Sequence, residues 1–239
     1  MVSVGVVAIG AGAFFASRTS LLDARRIEVS GARHVHRAEI LSIARVSRDT
    51  NVVWLDEHAA EGRLEDEPWI ANANVSISLP LAIRIAVTER TPVAVVAGEG
   101  GSLIAGDGTV LPDAPGPDAP GPDASGPDAS GRRDRLPTID LGILTAAEGR
   151  PQSPVGAARA LGAMPPALRS QVRRVRVALD GTLELRLGGG TTVRFGTPDD
   201  AVTKVQTIRR VFAWAEREGR AIRTLSVVTP VAPAATLVS

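Results

Sequence analysis

Three histidines, a run of three carboxylates and two glycine clusters are the places in these 239 residues where chemistry could start. His34 and His36 stand two apart in a loop, so an extended backbone turns both to one side. Two such ligands without a third do not make a zinc site, and both are expected as solvated loop histidines. Glu65, Asp66 and Glu67 are consecutive and read as a solvated helix end, not as an acid–base pair. Gly10-Ala11-Gly12 begins like a dinucleotide fingerprint, but the third small position is Phe15, and only a short polar segment, in place of the required helix, separates it from the next strand. Gly188-Gly189-Gly190 lacks the Lys-Ser/Thr and helix start of a phosphate loop and reads as a hairpin turn. No serine sits in a nucleophile elbow. No catalytic, cofactor-binding or metal-binding residue is expected, so the chain is read as a binding architecture and not as an enzyme.

Composition agrees. Net charge is +1, which gives no field to draw in nucleic acid, and no small-molecule substrate is indicated. There is no cysteine, which excludes disulfides and thiolate metal sites. Hydrophobic residues make up 44% but aromatics only 3%, so aliphatic side chains must fill the core.

The elements are organised around residues 67–92. Glu67-Pro68-Trp69 stops a preceding helix. Ala73, Val75, Ile77 and Leu79 then alternate with polar residues, Leu79-Pro80-Leu81 breaks the run, and Ile83, Ile85 and Val87 alternate again. Two such runs about a short turn predict a hairpin with one buried face. Upstream, residues 26–30 predict a strand and residues 37–46 a helix. Asp56 fits the N-cap of a second helix running to about Asp66, with Trp54 and Trp69 packed under it. The order over 26–88 is therefore strand, helix, helix, strand, strand.

Residues 2–16 are apolar and uncharged; extension to Leu22 gives a membrane-spanning length with Arg18 at its margin. No basic residue precedes this run, so a basic cytoplasmic segment is expected upstream of Met1. Residues 1–22 are assigned to the transmembrane segment. Downstream, 93–97 predict a strand and 103–111 a hairpin with a type I′ turn at Asp107-Gly108. Residues 112–131 repeat Pro-Asp-Ala-Pro-Gly and then Pro-Asp-Ala-Ser-Gly, which cannot bury apolar area; 112–135 are expected as a disordered surface insertion. An Ala-rich helix over 153–164, strands over 172–179, 182–187 and 191–195, a helix starting at Thr197-Pro198-Asp199-Asp200, and a last strand over 221–228 complete the pattern. That last helix should bury Val202, Val205, Ile208, Val211, Phe212 and Ala215. Residues 230–239 read as a flexible tail.

Val29-Ser30-Gly31, Pro68-Trp69-Ile70, Ala73-Asn74-Val75, Leu79-Pro80 and Glu89-Arg90-Thr91-Pro92-Val93-Ala94 resemble the POTRA domain of the FtsQ/DivIB family of bacterial division proteins. Pro68, Trp69, Pro80, Glu89, Arg90 and Pro92 are its structural motif. Gly106-Asp107-Gly108 is a close variant of a Val-Asp-x-x-Gly motif in the same family. Phe195-Gly196, Lys204 and residues 222–228 are similar to its C-terminal pattern. Ile77 and Ser78 depart from it, standing where members carry a basic residue.

The resemblance implies an α+β chain: a membrane helix, a POTRA domain over 23–91 and a β-rich domain over 92–229 with a long helix on an antiparallel sheet. It implies a single-pass membrane scaffold of the divisome at the septum, mostly extracytoplasmic, with partners similar to FtsB and FtsL and no cofactor. The binding mode implied is strand addition at the edge of the last strand. Leu225, Ser226, Val227 and Val228 are the expected edge, with Lys204 grouped beside them. The alternative is a POTRA-containing envelope or secretion component acting on client strands.

Overall fold

A computed structural model describes residues 23–78, 80–98, 101–112, 135–141 and 153–238. The predicted transmembrane segment, Leu79 and residues 113–134 of the predicted insertion lie outside the described residues. The chain divides into two compact units, one reaching Arg90 and the other beginning at Thr91.

The first unit is β1 (Arg26–Ser30), α1 (Arg37–Ala44), α2 (Glu57–Glu65), β2 (Ile70–Ser78) and β3 (Ala82–Glu89). This is the predicted order. β3 is central, antiparallel to β2 and parallel to β1. The alternation places Val75 opposite Ile85 and Ala73 opposite Val87, and all four are buried. Each of the valine and isoleucine side chains contributes about 1.5–3 kcal/mol. Ile40 and Ala44 of α1 and Ala60 and Leu64 of α2 are buried. Asp56 caps α2 as expected, accepting the Ala59 N–H at 2.9 Å. Gly31 follows β1 with φ +86, and a Cβ there would stand 1.9 Å from the Val87 carbonyl oxygen. Only glycine fits. Trp69 is buried as predicted, but Trp54 is 55% exposed and does not pack under α2.

In the second unit the described strands form one nine-stranded sheet, ordered β12-β11-β10-β9-β8-β7-β4-β5-β6. Its strands are β4 (Pro92–Val96), β5 (Ser102–Ala105), β6 (Val110–Leu111), β7 (Thr138–Leu141), β8 (Val172–Val177), β9 (Leu183–Leu187), β10 (Thr192–Gly196), β11 (Ile222–Ser226) and β12 (Ala234–Leu237). Among the described residues three helices accompany them: α3 (Val155–Gly162), α4 (Pro166–Arg169) and α5 (Ala201–Arg217). The sheet is mixed, not antiparallel as expected: β4–β7, β7–β8 and β10–β11 are parallel pairs. Helices fall in two of these connections, and a crossover yields parallel strands where a hairpin cannot. Buried residues of α3 and α5, among them Leu161, Val205 and Ile208, join the strand residues in one core.

Local corrections have local causes. The β5–β6 turn is not type I′, which needs positive φ at both central residues. Positive φ falls at Gly108 but not Asp107, whose carboxylate accepts the Thr109 N–H. α5 starts at Ala201, because Asp200 is left-handed (φ +52) and cannot be a helical residue. Within α5 the buried face runs through Lys204, Val205, Thr207, Ile208 and Ala215, which leaves Val202 exposed instead of buried. Residues 234–237, read as tail, form β12. Pro92 opens β4 and so belongs to the second unit.

Candidate partner-binding margin

The two sheets expose four edges among the described residues: β1 and β2 in the first, β6 and β12 in the second. An edge offers unpaired backbone groups to another chain unless something covers them.

β2 is covered. Glu57, Glu61 and Glu65 recur every four residues on α2 and so share a face. Their Oε1 atoms accept the N–H groups of Ile77 (3.0 Å), Val75 (2.9 Å) and Ala73 (3.2 Å). Those are alternate residues, so one helix stands in for a neighbouring strand. Asn72 and Asn74 donate side-chain N–H groups to Glu65 and Glu61. The Val75 N–H and the His58 ring hold the Glu61 carboxyl below its ordinary range, and Glu61 raises His58 in return. At β1, Arg37 donates to the Ile27 carbonyl at 2.6 Å. β6 has two residues, both paired with β5, so its outer side offers only a short run.

β12 differs. It pairs with β11 antiparallel on its inner side, and no described side chain is hydrogen-bonded to its backbone. The Val238 N–H donates inward to the Ala221 carbonyl at 2.8 Å. Strand alternation then turns the backbone groups of Ala235 and Leu237 outward. The preceding loop is held in place: Thr207 on α5 donates to the Pro230 carbonyl at 3.1 Å, and the Val227 N–H to the Arg194 carbonyl at 3.0 Å. Val228 and Val231, in the loop that leads to this strand, and Val238, which follows it, are exposed.

The residues expected at the edge are placed elsewhere. β11 lies between β10 and β12, so 222–226 form an interior strand. Leu225 and Val227 are fully buried, Ser226 is half-buried and only Val228 is exposed, at 54%. Lys204 is 4% exposed and donates from Nζ to the Thr197 carbonyl at 2.8 Å, with the Phe195 ring beneath it. It holds the turn before α5. The signal missed was weak: Ala234-Ala235-Thr236-Leu237 has no apolar alternation, because an exposed edge strand is held by its backbone.

Glu89 and Arg90 have clear structural tasks. Glu89 Oε1 accepts the N–H groups of Arg33, His34 and Val35 at 2.7–3.1 Å, and Oε2 meets His34 Nδ1 at 2.7 Å. Burial alone would raise the Glu89 carboxyl, but these bonds outweigh it and hold it below the usual range. His34 stacks on Trp69, ring centroids 4.5 Å apart, and is not the solvated histidine expected; His36 is exposed. The Arg90 guanidinium donates to the carbonyls of Glu67, Pro68 and Ile70. One dipeptide thus fastens the loop after β1 and the turn before β2. Among the described residues no cluster of His, Asp or Glu could hold a metal ion, and no helix is long and apolar enough to cross a membrane.

A family model described as "POTRA domain, FtsQ-type" matches residues 22–90, and one described as "Cell division protein FtsQ/DivIB, C-terminal" matches residues 94–224. The chain is similar to the cell division protein FtsQ of Mycobacteroides abscessus, 26% identical over 211 residues, covering 87% of this chain and 61% of the relative. It is 29% identical over 202 residues to FtsQ of Mycolicibacterium smegmatis, covering 83% and 54% of the two chains. With FtsQ of Mycobacterium tuberculosis it shares 30% over 212 residues, covering 87% and 60%. The chain thus spans little more than half the length of these relatives.

Proposed function

The chain belongs to the FtsQ/DivIB family of bacterial cell division proteins, and we propose from that premise that it is a divisome scaffold that adds a partner's extended segment to β12. Its task is binding and not catalysis. Residues 1–22 anchor it in the plasma membrane at the septum, with the described units outside the cytoplasm, and the partners are segments of the FtsB or FtsL type.

The observation that carries this reading is the contrast between edges. α2 occupies the outward N–H groups of β2 with three carboxylates, whereas β12 has no such cover among the described residues. Each hydrogen bond gained by an added strand contributes about 0.5–1.5 kcal/mol net. Val238, which directly follows β12, is exposed and offers apolar area to an added strand.

The test is Ala235→Pro. It removes one outward N–H without removing a bond to β11. Binding of the extracytoplasmic segment of an FtsB-type partner should weaken by about tenfold or more, which corresponds to about 1.4 kcal/mol. Unchanged affinity in a folded variant would sink strand addition at this margin. Proline at Val227 is the poorer probe, because that N–H is committed to Arg194.

A further inference from the structure

The first unit holds a cleft of about 550 Å³ lined by Arg25, Arg26, Arg37 and Arg48, with Ile27, Leu41, Val46 and Ser47 completing its wall. Four arginines line it and no acidic residue does, although the Arg26 guanidinium itself turns to Glu28 on the other face of β1. Arg37 is fixed in place by its bond to the Ile27 carbonyl. Arg26 has Glu28 at 3.7 Å, but Glu28 also bonds Arg84 at 3.2 Å. Arg25 and Arg48 make no side-chain hydrogen bond or ion pair with the described residues. Such a group of like charges is relieved by an anion, and the planar guanidinium fork matches phosphate oxygens.

The position of the cleft narrows the choice of anion. The backbone entering it is clamped: Asp23 bridges Asn51, the Ala24 N–H donates to the Thr50 carbonyl at 3.0 Å and the Arg25 N–H to the Leu81 carbonyl at 2.8 Å. Arg25 follows the apolar run ending at Leu22 by three residues, at most about 11 Å of extended chain. We infer that this cleft binds the phosphate of an anionic phospholipid headgroup, holding the first unit against the bilayer surface. The inference rests on the membrane-anchored reading above. A basic cluster beside a span gains most from anionic lipid within a Debye length of the surface.

The test uses the full chain extracted in neutral detergent and presented with mixed micelles of phosphatidylglycerol or phosphatidylcholine, with retained lipid counted by native mass spectrometry. The wild type should retain phosphatidylglycerol over phosphatidylcholine by about tenfold, and R25Q/R48Q should bring that ratio close to one. Those two side chains hold no described internal bond, and circular dichroism with a urea midpoint checks that the variant is folded. An unchanged ratio in the variant, or no preference in the wild type, would overturn the inference. Displacement by millimolar inorganic phosphate would assign the cleft to a free anion and overturn the lipid source. Release of the wild type from cells without detergent would remove the anchoring premise, and the micelle ratio would still report on the cleft separately.

Discussion

Glu61 accepts the outward N–H of Val75 at 2.9 Å, so a helix carboxylate occupies the place where a neighbouring strand's carbonyl would bind. Glu57 and Glu65 repeat the relationship one turn to either side. This predicts a local effect. Glu61→Ala should speed hydrogen exchange at the Val75 amide while leaving the amides of Ala73 and Ile77 slow. The triple alanine variant should speed all three and, by opening an edge, cause concentration-dependent association measurable by sedimentation. Unaltered exchange at Val75 would show that the carboxylate does not guard the edge.

Glu89 makes the first unit sensitive to acid. Its folded carboxyl titrates below its unfolded value of 4.5, because the bonds from the loop after β1 outweigh the cost of burial. A depressed carboxylate contributes stability that is present above the unfolded value and lost as pH falls through the folded one. The Glu89 part of the urea midpoint, read as the difference between wild type and Glu89→Gln by tryptophan fluorescence, should therefore be level above about pH 6 and shrink below about pH 4.5. Glu89→Gln should start lower at neutral pH and show a shallower acid slope. His58 acts with opposite sign: raised by Glu61, it contributes below its ordinary 6.5 and loses that contribution as pH rises through its folded value.

Two glycines with positive φ separate strain from collision. Gly181 (φ +78) has no atom within 4 Å of where a Cβ would stand, so Gly181→Ala should cost only the left-handed conformation, about 1–2 kcal/mol. Gly31 adds the Val87 carbonyl at 1.9 Å, and Gly31→Ala should cost about 4 kcal/mol or more. Equilibrium urea unfolding compares the two. Equal losses would mean that the end of β1 moves freely away from β3.

What the sequence showed, and what it hid, follows from the range of each signal. Alternation and proline breaks are local, and they located β1, β2, β3 and both helices of the first unit. Asp56 was legible because a cap acts within three residues. Pairing across crossovers is not local, so the parallel neighbours of β7 and β10 were invisible. Glu65 was read with Asp66 and Glu67 as a solvated helix end; its bond to the Ala73 N–H, and those of Glu57 and Glu61 beside it, go to a strand edge that only the fold brings within reach. β12 was the hardest, because an exposed edge strand of small residues carries no apolar period. Missing it shifted the expected margin inward by one strand.

Lys204 and Ala235 now separate stability from binding. Lys204 is a buried ammonium satisfied by the Thr197 carbonyl and the Phe195 ring. Lys204→Met keeps much of the aliphatic stem but leaves that carbonyl without its partner. It should lower unfolding free energy by about 1–3 kcal/mol. Because the side chain does not reach the surface, affinity for a segment added at β12 should stay within about twofold in the folded variant. Ala235→Pro should do the reverse, sparing the fold and weakening the partner. Both variants are read by urea unfolding and by titration with the partner segment. If Lys204→Met instead weakened binding with no loss of stability, the lysine would have to reach a partner, and the site would have to be redrawn around α5.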